Sequence, residues 1–226
     1  MARIHDHPTS LLLVEGNDDF HVIHSLCKKF NVSVRNLENP TGGNFSVVDC
    51  KGIDELLMQI PLRFKSNLNF STLGIIIDAD TDLKSRWLSV VKILNELGFI
   101  TPKEFPLSGL ILTSDKLKIG VWIMPNNNLN GMLEDFMSFL ISEEDPLLPI
   151  VDSTIESIEK LNLNKYSPIH KSKAKIHTWL AWQEVPGIPL GQAITKNYLT
   201  TDEENCIQLI EWLNKLFGEH EVQPLT

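Results

Sequence analysis

Apolar and polar positions alternate along this chain on two periods. Residues 11–14 (LLLV) form an unbroken aliphatic run, the pattern of a strand covered on both faces. The run breaks at Glu15 and Gly16. Asn17 or Asp18 is then placed to cap a helix over 19–30, where Phe20, Ile23, Leu26, Cys27 and Phe30 recur at helical spacing. After a loop at NPTGG (39–43), FSVVDCKG (45–52) reads as a second strand ending at Gly52, and 53–60 as a short helix. STLGIIIDAD (71–80) repeats the opening pattern: an aliphatic run breaks abruptly into aspartates. A helix follows over 83–97, with Trp87, Val90, Val91, Leu94 and Leu97 on one side, and Gly98 stops it.

Repeated strand–helix alternation predicts an α/β fold: a mostly parallel central sheet with helices on both faces, and a functional crevice outside the carboxyl ends of the strands. Beyond residue 100 the pattern changes. SDK separates two apolar runs, 110–113 and 117–124, which predicts a hairpin adding antiparallel strands to the sheet. The loop NNNLNG then leads into a helix at GMLEDFMSFLI, and further helices are expected over 153–161, 171–183 and 202–217, separated by NKYSP and VPGIPLG. No flexible linker divides the chain. The expectation is one domain over 1–226, with a core at about 8–141 and a helical C-terminal region, about 152–218, packed on it.

Composition narrows the function classes. At 226 residues, 42% hydrophobic and 22% charged, the chain can bury a sizeable core. The start MARIHDHPTS lacks the apolar stretch of a signal peptide, and no segment approaches a membrane span, so a cytoplasmic protein without membrane contact is expected. Cys27, Cys50 and Cys206 are far apart and form no C-x-x-C pair, so they read as buried thiols. A formal charge of −9 argues against coating nucleic acid through a general positive field; a polyanion partner would need a cationic bridge.

The acids supply the candidate chemistry. Glu15 ends one strand, and Asp78, Asp80 and Asp82 alternate past another, sharing one face if the backbone stays extended. If the two strands are neighbours, these groups converge at one edge of the sheet. Clustered carboxylates raise one another's pKa, and the remedies are protonation, a basic partner or a divalent cation. Oxygen-only ligands suit Mg²⁺ or Mn²⁺ rather than zinc. Read singly, each tip is more often a solvated strand end than a functional one.

VEGNDD followed some sixty residues later by IIIDAD resembles the toprim domain of bacterial primases, topoisomerases and the overcoming-lysogenization-defect (OLD) family nucleases. The family's E-G-x-x-D/E run falls on Glu15, Gly16 and Asp19, and its D-x-D on Asp78 and Asp80; VVDCKG corresponds to the middle strand. The match covers about residues 10–98, and Thr81 and Asp82 stand where those nucleases often carry a glycine. The resemblance implies Glu15 as general acid or base in phosphodiester chemistry and the D-x-D aspartates as Mg²⁺ ligands. MPNNNLNGMLEDFM is similar to a segment of stand-alone toprim proteins, which implies that Glu134, with Asp135, adds a ligand for a second metal. Acids in a helix's first turn are also favoured by the macrodipole alone.

Residues 160–183 hold Lys160, Lys165, Lys171, Lys173 and Lys175, with His170 and His177, and no acid. Lys171 and Lys175 fall on one face of the expected helix, and Trp179 and Trp182 on its apolar side. This reads either as a cationic wall contacting phosphate, with Lys171, Lys173, Lys175 and His170 binding nucleic acid, or as a solvated face. By the same resemblance, Lys173 or Lys175 is the counterpart of a lysine used by the related nucleases. Two cations about 4 Å apart would clamp the attacking and leaving oxygens of an in-line displacement and activate a water. Glu15 would handle the proton.

Other features carry less. His5 and His7 read as a mobile terminus, His21 and His24 as surface or packing groups, the five tryptophans as core or an oligomer contact, and TGGN (41–44), lacking the P-loop lysine, as a turn. With only Tyr166 and Tyr198 and no strand-passing domain, topoisomerase chemistry is not indicated. The functional expectation is a Mg²⁺- or Mn²⁺-dependent nuclease, with DNA ahead of RNA as substrate and a homodimer or a partner ATPase as possible assemblies. The competing expectations are a non-catalytic or regulatory module binding nucleic acid, nucleotide or a partner, and a small-molecule phosphohydrolase or phosphotransferase.

Overall fold

The computed structural model describes residues 9–35, 42–65, 70–114 and 117–218. His5, His7 and Thr41 lie outside these residues, as does part of the expected loop at 39–43. The chain runs β1 (Thr9–Val14), α1 (Asn17–Lys29), β2 (Val34–Arg35), β3 (Phe45–Asp49), α2 (Ile53–Lys65), β4 (Phe70–Asp78) and α3 (Leu83–Glu96). It continues through β5 (Leu110–Thr113), β6 (Lys118–Met124), α4 (Leu133–Phe139), α5 (Leu148–Lys160), a 3-10 turn (Pro168–His170), α6 (Lys171–Ala181), α7 (Leu190–Thr195) and α8 (Glu204–Phe217). The strands form one six-stranded sheet in the order β2-β3-β1-β4-β6-β5, parallel throughout except for the β5–β6 hairpin at one edge. The expected α/β class and the hairpin are both present.

The aliphatic runs are explained by burial on both faces. Leu12, Val14, Ile76, Trp122 and Met124 point into a core closed by α1 and α4 to α8. The alternate positions, Leu11, Leu13, Ile75, Ile77, Val121 and Ile123, point into a second core closed by α2 and α3. Each fully buried aliphatic side chain contributes about 1.5–3 kcal/mol. Helix α8 lies close against the first face because β4 and β6 carry glycines there: a Cβ at Gly120 would come within 2.5 Å of Leu216. Among the described residues no helix is long and apolar enough to cross a membrane.

Several boundaries differ from the expectation. Helix α1 starts at Asn17, with Gly16 at its N-cap; Asp19 supplies the carboxylate that accepts the Gly16 N–H at 3.1 Å, so neither Asn17 nor Asp18 is the cap. Helix α2 runs on to Lys65 and carries Pro61 inside it. Helix α5 begins at Leu148, with a proline in its first turn where a missing N–H is harmless. The stretch after Gln183 contains α7. Trp87, Trp122, Trp179 and Trp212 are core residues, while Trp182 is 41% exposed and not on the buried side of α6.

Topology places the site. Helix α1 leaves β1 on one face toward β3, and α3 leaves β4 on the other face toward β6. The connections leaving the adjacent strands β1 and β4 therefore go to opposite faces of the sheet, and Glu15 and Asp78 sit at this topological switch point.

Candidate functional site

The Glu15 Oε1 accepts the backbone N–H of Asp78 at 2.7 Å, which ties the tips of β1 and β4 together. Asp78 Oδ1 in turn accepts the N–H of Leu133, the first residue of α4, at 3.0 Å. Asp19, on the first turn of α1, and Glu134, on the first turn of α4, face the same space; they are 7% and 4% exposed. Each carboxyl feels the others. Burial, then the charges of Asp19, Glu15, Glu134 and Asp80, hold the Asp78 carboxyl well above the usual range. Burial, with the charges of Glu15 and Glu134, pushes Asp19 up to about 7 against the pull of its N–H bonds. Burial also raises Glu15, opposed by the Asp78 N–H and the nearby Arg86 charge.

The loop after β4 is held by the loop before α4. Asp80 adopts a left-handed backbone, φ 52°, and exchanges two hydrogen bonds with Gly131, each 2.8 Å. Asn130 adds two more: its Oδ1 accepts the Leu83 N–H at 2.9 Å and its Nδ2 donates to the Thr81 carbonyl at 2.7 Å. Gly131 has φ 138°, and a Cβ there would lie 2.7 Å from Asp135 Oδ2. That Asp135 oxygen accepts the Met132 N–H at 2.8 Å and the Ser172 hydroxyl at 3.1 Å, so α6 is docked to the same corner.

Residues 9–218 match the model of the family described as "Protein of unknown function (DUF3226)". The chain belongs to that family. Comparison of this DUF3226 chain with curated proteins and with solved structures gives no match.

In the DUF3226 chain the sequence-predicted residues divide into two groups. Glu15, Asp19, Asp78 and Glu134 converge, with Asp80 beside them: its charge raises both Glu15 and Asp78, and its own carboxylate is ion-paired with Arg86. Asp82 does not join. The left-handed turn at Asp80 ends the extended run, so the three aspartates do not share a face; Asp82 is exposed and caps α3, accepting the Ser85 N–H at 3.0 Å and its hydroxyl at 2.6 Å, which hold its carboxyl below the usual range.

The lysines divide in the same way. Lys173 Nζ lies 2.7 Å from the buried Glu134 carboxylate; that bond, with the charges of Asp18 and Asp78, raises its pKa. Lys175 is paired with Asp152 and Lys171 with Glu159, each at 2.6 Å, so both face α5 instead. His170 is exposed and hydrogen-bonded to Ser167 at 3.3 Å. The expected cationic wall therefore reduces to one ammonium at the cluster. Sequence reasoning missed Arg86, whose signal is its place one helical turn beyond the D-x-D run, and it missed Asn130, Gly131 and Ser172, which act only through three-dimensional docking. All three cysteines are buried thiols, as expected.

The donor set is all oxygen, as Mg²⁺ or Mn²⁺ prefers, and a dication would offset the burial and the mutual repulsion that raise Asp19 and Asp78. Among the described residues, however, no group of three acidic, histidine or cysteine side chains is disposed to hold a metal ion as it stands. Each acid of the cluster has a hydrogen-bond or ion-pair partner. Glu15 is turned to the Asp78 N–H, Asp19 to Gly16, Asp78 to Leu133, Asp80 to Arg86 and Glu134 to Lys173. The residues fit a hard cation in kind and number, with these partners held in the metal-free chain.

Proposed function

We propose that the DUF3226 chain is a divalent-metal-dependent phosphodiesterase acting on nucleic acid, with a site of the toprim type related to the OLD nucleases. One observation carries the reading: two adjacent parallel strands, distant in sequence, end in acids that are in contact, and two further buried acids crowd the same space, one of them paired with Lys173. Asp78, Asp80 and Glu15 would hold a first Mg²⁺ or Mn²⁺, with Asp19 and Glu134 available to a second. Bound there, such ions supply charge neutralisation at phosphate and activation of water. Glu15, at the tip of β1, would exchange a proton with the attacking or leaving oxygen. Lys173 steadies charge at the α4 side of the site. At a net charge of −9, nucleic acid has little reason to bind until the acids are neutralised.

The test is cleavage of single- and double-stranded DNA and RNA with Mg²⁺ or Mn²⁺, comparing the wild type with Glu15→Ala and Asp78→Ala. Metal-dependent cleavage lost in both variants supports the reading; equal activity in all three overturns it. A second reading has its own observation, since every carboxylate of the cluster already has a donor in the metal-free chain. On that reading the chain is a non-catalytic module, and metal uptake without cleavage of any substrate identifies it.

A further inference from the structure

We infer that Arg86 is a counter-ion gate on this site: its guanidinium neutralises Asp80 in the metal-free chain and turns to substrate phosphate when Asp80 is engaged by a cation. The inference rests on the phosphodiesterase reading and assigns a positioning role within it.

Asp80 is fixed at the backbone by its two hydrogen bonds to Gly131, so only its side chain can change partner. That side chain, 37% exposed, is ion-paired with Arg86, whose own side chain is 15% exposed. Arg86 is equally fixed, because it sits in the first turn of α3 and its N–H bonds the Asp82 carbonyl at 3.0 Å, while Asp82 caps the helix. Two acids face its guanidinium from other elements: Asp80 beyond β4 and Glu15 at the tip of β1, the latter already holding the Asp78 N–H with one oxygen.

A guanidinium stays charged at any physiological pH, so Arg86 cannot answer the loss of Asp80 by deprotonating. A partly buried cation left without its partner is strongly unfavourable. The group that best replaces a carboxylate on an arginine fork is another planar-spaced pair of oxygens, and a phosphodiester offers one. Cation uptake and phosphate binding are therefore coupled through one side chain: before the cation binds, Arg86 is occupied and the site presents net negative charge. Afterwards the same arginine is available at its rim.

The experiment uses the full chain with Mn²⁺ alone, followed by calorimetry, and then a short fluorescent thymidine oligonucleotide at saturating Ca²⁺, followed by anisotropy. Arg86→Ala is expected to bind Mn²⁺ about three- to tenfold tighter, because a competing positive charge is gone and Asp80 is free. The same variant is expected to bind the oligonucleotide about tenfold more weakly at saturating metal. Arg86→Lys, which keeps the charge and loses the fork, should match the wild type for Mn²⁺ and still bind the oligonucleotide less well; it also serves if the alanine variant folds poorly. Unchanged or weaker Mn²⁺ binding in Arg86→Ala, or unchanged oligonucleotide binding in both variants, overturns the inference alone. A wild type that takes up no Mn²⁺ overturns the phosphodiesterase reading and this inference together.

Discussion

Glu15 and Asp78 stand 63 positions apart in sequence, yet the carboxylate of the first accepts the backbone N–H of the second at 2.7 Å. The bond has a structural and an electrostatic side. Glu15 satisfies an amide at the end of β4, and it adds a negative charge to a space already occupied by Asp19 and Asp78. Substitutions separate the two. Glu15→Gln keeps an acceptor and removes the charge, so the metal-free protein should melt higher than wild type at about pH 8, where the acids repel most. Glu15→Ala removes both and leaves the Asp78 N–H without its acceptor, a loss of about 1–3 kcal/mol that offsets the relief. Thermal melts in chelator should rank Gln above Ala, and both should lose about 10²-fold or more of any metal-dependent cleavage.

Asp19 sets a pH dependence whose sign is opposite to that of an ordinary salt-bridged acid. Its folded-state pKa is about 7 against an ordinary 3.8, so between these values the native state binds more protons than the unfolded state. Stability of the metal-free protein therefore falls as pH rises through this window, and the raised Asp78 and Glu15 act in the same direction. Asp19→Asn, which keeps an acceptor for the Gly16 N–H, should flatten the fall and melt higher than wild type at about pH 8 while matching it near about pH 4. Mn²⁺ should reverse the trend, with a larger rise in melting temperature at about pH 8 than at about pH 5.5, because ligation needs the ionised acids. A metal-free melting temperature that climbs with pH across the window would contradict the placement of Asp19.

Gly131 and Gly16 flank the cluster and differ in what they require. At Gly131 both the φ of 138° and the 2.7 Å approach of Asp135 Oδ2 exclude a side chain. Gly131→Ala should lose about 1–3 kcal/mol and loosen the pairing with Asp80. Gly16 has an extended backbone, φ −144°, and a Cβ there would sit 3.5 Å from Asp19 Oδ2, an ordinary contact. Gly16→Ala should fold with stability close to wild type, as denaturant titration of the two variants would show.

The site was readable where burial on both faces leaves an uninterrupted aliphatic run, as in β1 and β4, because the abrupt polar tips at Glu15 and Asp78 then mark strand ends. The β5–β6 hairpin was readable from the SDK break between two apolar runs, although β5 is a half-buried edge strand. What the pattern hides is set by single backbone angles and by docking. The turn at Asp80 that removes Asp82 from the site is one residue in the left-handed region, which aspartate tolerates and no periodicity announces. The two residues of β2 and the six of α7 are too short to show a period, and the helix expected over 53–60 continues past Pro61 to Lys65. Which lysine reaches the acids depends on how α6 lies between α4 and α5, a packing relation absent from the order of residues.

That packing makes the three lysines of α6 distinguishable by experiment. Lys173 meets a Glu134 that is 4% exposed, whereas Lys175 and Lys171 meet Asp152 and Glu159 near the surface. Removing Lys173 leaves a buried carboxylate unpaired beside Asp19 and Asp78. Since the Lys173 side chain is itself 48% exposed, the loss is screened below that of a fully buried pair, and about 1–2 kcal/mol is expected for Lys173→Ala. Lys175→Ala and Lys171→Ala break solvent-screened surface pairs, so their melting temperatures should stay close to wild type. The sensitivity to metal should split the same way. Without its ammonium, Glu134 adds an uncompensated charge to the cluster, so Lys173→Ala should gain more in melting temperature from Mn²⁺ than wild type does, while losing metal-dependent cleavage by about tenfold or more. Equal behaviour of the three alanine variants in both measurements would show that α6 does not present Lys173 to the acids.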